Sequence, residues 1–244
     1  MQEVIKIERK ESEPKLLFKA ILKRHEKTDY TGVGHDLTDE GVGGAIESGK
    51  KLKGDSFFST ESEVISFHTP ETRTKGTSDF VLEEAGISSE SRPISMLGPS
   101  EIFDVEAFEK HNVEELDDDP TRIAEDFHKG DFHKNRPDII EPHLKKKERL
   151  YRAMEYFVRF ILKKNINPDS PVTQVFAVSH FEIITHLIDD VFGIENTGYR
   201  SPSFGEEVRI SAFQTDNPDK ILLKVGFRDL EKEAIFNRKT RSIE

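Results

Sequence analysis

Apolar positions along this chain gather into short runs separated by longer polar stretches. LLFKAILK (16–23) and EVISFHT (63–69) each read as a strand, and VTQVFAVSH (172–180) as the best buried strand of the chain. PISML (93–97) predicts a further short strand. EVRISAFQ (207–214) and KILLKVGF (220–227) flank Asn217-Pro218-Asp219, the signature of a hairpin.

Between the strands the apolar spacing becomes helical. Thr38 is a candidate N-cap, with Asp39 and Glu40 in the first turn where the helix dipole favours acids, and the helix runs to about Leu52. Pro70 suits a first helical turn, which predicts a helix over 70–85. Leu150, Met154, Phe157 and Ile161 lie near helical spacing within a long helix from about Pro142 to Lys164. A last helix is predicted over 182–192.

This alternation predicts an α/β fold: a three-layer α/β/α sandwich whose central sheet is mostly parallel, with an antiparallel edge. Residues 98–140 are acidic and weakly periodic, with DDDP at 117–120, and read as an insertion or lid. The prediction is one domain over 1–244, with a cap inserted at about 87–140 and residues 1–14 as an arm or peripheral strand.

Composition narrows the chemistry. The formal net charge of −11 argues against a nucleic-acid surface, which needs clustered cations, while leaving room for a small phosphate compound in a local cationic pocket. With no cysteine there is no disulfide, no thiolate chemistry and no Cys-based zinc site. MQEVIKIERKESEPK is charged and carries no apolar run of a signal peptide, and no window is apolar for long enough to span a bilayer. The expectation is a cytoplasmic protein without membrane partners; oligomeric state is left open.

Three strand ends share one composition. The first strand ends at Arg24-His25, the second at Thr69-Pro70-Glu71-Thr72-Arg73, the third at Val178-Ser179-His180. In open α/β sheets such ends form the ligand crevice, so two histidines and two arginines are predicted to converge there. Neutral imidazole is a nucleophile near pH 7, and guanidinium forks onto phosphate oxygens. Read alone, Arg24-His25 is also compatible with a solvated strand end, Arg73 with a surface arginine paired with Glu71 or Asp79, and His180 with a satisfied polar residue closing a strand.

Taken together, the blocks resemble the histidine phosphatase superfamily, the group that contains the phosphoglycerate mutases. Arg24-His25 is similar to its first motif. Leu37-Thr38-x-x-Gly41 is similar to its Leu-Thr-x-x-Gly. Thr69-Pro70-x-x-Arg73-x-x-Gly76-Thr77 resembles its Ser-Pro-x-x-Arg-x-x-Gln-Thr, and Val178-Ser179-His180 its second histidine block. The order along the chain agrees, and the resemblance covers about 16 to 190.

The resemblance implies phosphomonoester hydrolysis through a phosphohistidine on His25. Arg24, Arg73 and a protonated His180 would bind the phosphoryl oxygens, with no metal and no cofactor. It implies a small phosphomonoester or inorganic phosphate as partner. For the general acid, Glu101 is the first choice, since the short-chain branch takes a carboxylate some two dozen residues after the second arginine. Asp104 is the fallback. Glu182 is the rival, because His180-Phe181-Glu182 is similar to the His-Ala-Glu of the other branch. Glu26 stands where the family carries Gly or Ala, and is either turned away, neutral or itself the acid. The alternatives are mutase-type phosphoryl transfer and an inactive phosphate-binding or interaction module.

Other features carry less. Lys19 and Lys23 are expected to lay their stems along apolar surface with the ammonium exposed. Phe181 is expected to narrow the pocket. His128 and His133 do not have helical metal-ligand spacing and are expected on a lid surface. Lys145-Lys146-Lys147 reads as a solvated helix start or a partner of the acidic insertion. His35 reads as a loop histidine near the first motif.

Overall fold

In the computed structural model, residues 14–30, 35–59, 62–117, 122, 126, 136–164, 172–193 and 201–244 are described. The first thirteen residues, His128 and His133 lie outside them.

Eight strands form one sheet in the order β3-β2-β4-β1-β5-β6-β7-β8. β1 (Leu16–Arg24), β2 (Val64–His68), β3 (Ser91–Pro93) and β4 (Thr173–Ser179) run parallel, and β5 (Glu207–Gln214), β6 (Lys220–Phe227), β7 (Leu230–Asn237) and β8 (Ser242–Ile243) continue antiparallel from β1. The antiparallel part is wider than the predicted hairpin. β7 opens on Leu-Glu-Lys-Glu, three of them exposed, so its sequence carries little apolar alternation.

Helices cover both faces. On one, α1 (Asp39–Lys53) and α2 (Thr72–Ala85) bury Ala45, Leu52, Val81 and Leu82 against Ile21, Phe176 and Val178. On the other, α4 (His143–Lys164) and α5 (Phe181–Phe192) pack on Phe18, Ala20, Leu22, Val175 and Ala177. The period-two alternation of β1 thus feeds two cores. Leu150, Met154, Phe157 and Ile161 are all buried on the sheet side of α4, each contributing roughly 1.5–3 kcal/mol of transfer free energy.

PISML is not a strand. Pairing ends at Pro93, and Ser95–Leu97 form a turn of 3₁₀ helix. Arg149 of α4 donates to the carbonyls of Ser95, Met96, Gly98 and Pro99, and to both carboxylate oxygens of buried Glu141 at 2.9 and 2.6 Å. The turn, closed by Gly98 N on the Ser95 carbonyl at 2.9 Å, presents these carbonyls to one guanidinium instead of to a neighbouring strand. Farther on, α3 (Val105–Leu116) is capped by Asp104, whose side chain accepts from Ala107 N.

The lysine run also departs from expectation. Lys145 is exposed, but Lys146 is buried and Lys147 pairs with Asp190 of α5 at 2.7 Å. Helical geometry turns successive residues by about 100°, so three adjacent lysines cannot share one solvated face.

Candidate active site

Parallel pairing of β1 with β4 sets Arg24 opposite Ser179. The next residue of each strand, His25 and His180, therefore leaves the sheet beside the other. The His25 N–H donates to the Ser179 carbonyl at 3.0 Å. The two imidazole centroids lie 5.1 Å apart, at an interplanar angle of 63°. On the other edge of β4, His68 of β2 pairs with Val178, and Thr69 Oγ1 reaches His180 Nε2 at 3.0 Å. Arg73 follows in the first turn of α2. It is buried, and the charges of Arg24 and Arg73 act on both rings. The starts of α2 and α5 add the positive ends of two helix dipoles at the same strand ends.

The remaining motif residues hold the loop that carries His25. Thr77 Oγ1 accepts from Glu26 N at 3.0 Å and donates to the Arg73 carbonyl at 2.9 Å. The Lys27 carbonyl accepts from Thr38 N at 3.1 Å, while the Thr38 side chain caps α1 by accepting from Gly41 N. A Cβ on Gly41 would stand 2.1 Å from that Lys27 oxygen, so only glycine lets α1 approach this closely.

His25 Nδ1–H donates to the Glu26 carbonyl at 2.8 Å, which leaves the Nε2 lone pair free. Burial pushes the His25 pKa down to about 3, with Arg24 and Arg73 acting in the same direction and the bond to Glu26 opposing them. His180 is held well below its ordinary value by burial, then by His25, Arg73, Arg24 and Arg149. Burial thus favours the neutral form of both rings; the protonated His180 that the resemblance implies belongs to a site holding a phosphoryl anion. The cause is desolvation, reinforced by Arg24 and Arg73 at both rings and by Arg149 at His180.

Arg73 Nη1 donates to Glu71 at 3.1 Å and lies 3.3 Å from His35 Nδ1, so His35 reaches the site. The Arg73 Nε is buried and has no hydrogen-bond partner among the described residues. Arg24 Nη1 donates to the Pro202 carbonyl at 2.7 Å. Two phenyl rings lie against the Arg24 guanidinium, Phe204 at 3.9 Å and Phe181 at 4.8 Å from its central carbon.

The candidate carboxylates are placed differently from one another. Glu26 is buried and committed to its own partners: Lys23 at 3.5 Å and Ser48 of α1 at 3.2 Å. Gly44 and Gly205 make room for it, since a Cβ on either would lie within 2.7 Å of its carboxylate. Lys23 is 2% exposed, with its ammonium on Ser48 and on the Gly205 carbonyl, which corrects the expectation of an exposed ammonium. Its neighbours on the same face of β1 are Ile21 and Lys19; Lys19 is half-buried, its Nζ lying 5.1 Å from the Phe57 ring.

Glu182, in the first turn of α5, is buried and accepts from Ser100 N at 3.1 Å. Glu101, the adjoining residue, is exposed, and its carbonyl accepts from Glu141 N. Asp104 is exposed and spent on capping α3.

Sequence reasoning missed Phe204 and Tyr30. The Phe204 ring is 5.6 Å from His25, and Tyr30 lies 5.8 Å from the Arg73 guanidinium and feels the charges of Arg73, Arg24 and Glu182. Neither belongs to a periodic element or a motif, and only the fold brings them in. Among the described residues, no group of three or more His, Asp or Glu side chains is arranged to hold a metal ion, and no helix is long and apolar enough to cross a membrane.

No protein-family model matches the sequence, and no curated protein matches it in sequence. Solved structures do match. A mycobacterial glucosyl-3-phosphoglycerate phosphatase aligns with a TM-score of 0.58 and 14% identity, over 86% of this chain and 97% of that one. A putative alpha-ribazole-5′-P phosphatase from Escherichia coli K-12 gives 0.56 and 18%, over 88% and 96%. A phosphoglycerate mutase from Bacillus anthracis gives 0.57 and 16%, over 81% and 88%. The chain therefore has the fold of these phosphatases and of the mutase.

Proposed function

We propose that the protein hydrolyses phosphomonoesters through a phosphohistidine on His25. The observation that carries this reading is the pair of buried imidazoles 5.1 Å apart, with the charges of Arg24 and Arg73 acting on both and the Nδ1–H of His25 held by a backbone carbonyl. The Nε2 lone pair of His25 attacks phosphorus as the ester P–O bond breaks. Arg24, Arg73 and His180 stabilise the equatorial oxygens, and a dianionic phosphoryl group between them favours a proton on His180. Water then attacks the phosphohistidine and releases inorganic phosphate and His25.

The leaving oxygen needs a proton, and the attacking water must lose one. We assign both transfers to Glu182, which is buried at the site and oriented by the Ser100 N–H. Glu101, exposed on the adjoining loop, is the alternative. Glu26 is set aside because its carboxylate is taken up by Lys23 and Ser48. The same pairing offsets the charge of a carboxylate that would otherwise repel phosphate beside the nucleophile.

Hydrolysis is preferred to mutase-type transfer because Arg149, the third guanidinium acting on His180, is committed to Glu141 and four carbonyls. A bisphosphate would need more cationic partners. Structures of the mycobacterial phosphatase are described in complex with VO3 and with inorganic phosphate, which supports a small phosphate compound as partner for the same fold here.

The test is turnover of p-nitrophenyl phosphate, with intact-mass analysis after alkaline quench. The wild type should turn over and carry one phosphoryl group. His25→Ala should lose both, the rate falling roughly 10⁴-fold or more, in the range of nucleophile deletions. Glu182→Gln should slow turnover more than Glu101→Gln. A wild-type protein that binds phosphate but turns over no phosphoester would replace this reading with the binding module.

A further inference from the structure

The loop that carries Phe204 is bound to β1 residue by residue. The Pro202 carbonyl accepts from Arg24 Nη1, Gly205 N donates to the His25 carbonyl at 3.3 Å, and the Gly205 carbonyl accepts from Lys23 Nζ. The Glu206 carbonyl accepts from Arg24 N at 2.9 Å, and the Glu206 carboxylate holds Ser203 N and Arg228. Gly205 itself has a φ of +72°, a left-handed conformation that glycine adopts without cost. Backbone bonds on both sides thus anchor Phe204, whose ring is 38% exposed and lies 5.6 Å from the ring of the proposed nucleophile. An aromatic side chain partly in water beside a ligand position, on a backbone that is held in place, offers a flat surface on which a ligand group can pack.

The surroundings indicate what that is. Phe181 lies beside the same guanidinium, and Tyr30, 54% exposed, lies by Arg73. Among the described residues, the neighbouring cations are paired or buried. Arg73 is shared with Glu71, Arg149 is held by Glu141, Lys27 pairs with Glu40, and Lys146 is buried in α4. A second anionic group on the substrate would meet rings and carboxylates among the described residues.

We propose that the site selects phosphomonoesters whose alcohol carries an aromatic or similarly flat apolar group, which packs on Phe204 with Phe181 and Tyr30 alongside. This rests on the phosphatase reading for the position of the phosphoryl group. The aromatic contact supplies binding in both ground and transition states, so it raises kcat/KM chiefly by lowering KM.

Benzyl phosphate and ethyl phosphate test this, because their alkoxide leaving groups are similarly basic and reactivity does not decide the ratio. Wild-type kcat/KM should favour benzyl phosphate by on the order of tenfold, the size of an aromatic contact with partial ring burial. Phe204→Ala should bring the ratio to about two, and Phe204→Leu should leave it between. The ratio does not depend on the fraction of protein folded. Benzylphosphonate and ethylphosphonate binding, measured by calorimetry, gives the same comparison without turnover. Equal kcat/KM for the two esters in a His25-dependent reaction, or equal affinity for the two phosphonates, overturns the substrate class. Absence of turnover together with tighter benzylphosphonate binding overturns the hydrolase reading and keeps the aromatic subsite.

Discussion

Two groups of buried ionisable side chains lie on either side of the end of β1, and they are built on opposite rules. On the α1 side, Lys23, Glu26 and Ser48 form a closed set, a cation and an anion with a hydroxyl between them and two glycines cleared for the carboxylate. At the strand ends, His25, His180, Arg24 and Arg73 gather with cations in excess, and both imidazoles are driven neutral. A closed set is a structural solution to burying charge. A set left cationic and incompletely bonded, as at the Arg73 Nε, is arranged for an anion from outside. Residues 23 to 26, consecutive in sequence, are thus divided between support and the candidate chemistry.

Substitutions break this contrast in different ways. Arg73→Ala should lower kcat/KM for p-nitrophenyl phosphate by about 10²–10³, the usual effect of deleting one charged donor at a developing charge, with little loss of thermal stability. Equal activity would place Arg73 among the structural arginines. Glu26→Ala should do the reverse. It strands the Lys23 ammonium, so denaturant unfolding should show a loss of about 3–5 kcal/mol, while kcat of the folded fraction stays within about tenfold. The double variant Lys23→Met with Glu26→Gln should recover most of that stability. If Glu26→Ala instead abolishes turnover without destabilising, the carboxylate belongs to the reaction.

A further effect is on pH dependence. The folded His25 pKa, about 3, lies below the unfolded value near 6.5, so the unfolded chain binds the extra proton between them. Stability from this group is complete above about pH 6.5 and falls as pH drops toward 3, by up to about 1.4 kcal/mol per pH unit. His25→Gln should flatten the melting-temperature profile in that window and leave it unchanged at pH 8. An unchanged acid slope in the variant would mean that His25 does not carry this linkage.

Much of the framework was legible because burial on both faces writes itself as apolar runs. β1, β2, β4 and the β5–β6 hairpin fall within a residue or two of their expected positions, and the buried face of α4 is the one its spacing predicts. Elements that depend on distant partners were not. The chain at 93–97 turns instead of pairing, and Arg149, more than fifty residues later, collects its carbonyls. β7 is a strand because β6 is beside it, although its own residues are largely polar.

The site divides along the same line. Arg24, His25, Arg73 and His180 stood out in the sequence because each follows a predicted strand, and parallel strands end together at one edge of a sheet. The placement of His25 beside His180 follows from the parallel register of β1 with β4. Which carboxylate is enclosed, where Glu26 sends its charge, and which rings rest on Arg24 depend on loops meeting across the fold. Those contacts join Gly205 to Lys23 and Ser100 to Glu182, pairs with no periodic relation along the chain, and only packing in three dimensions could choose them.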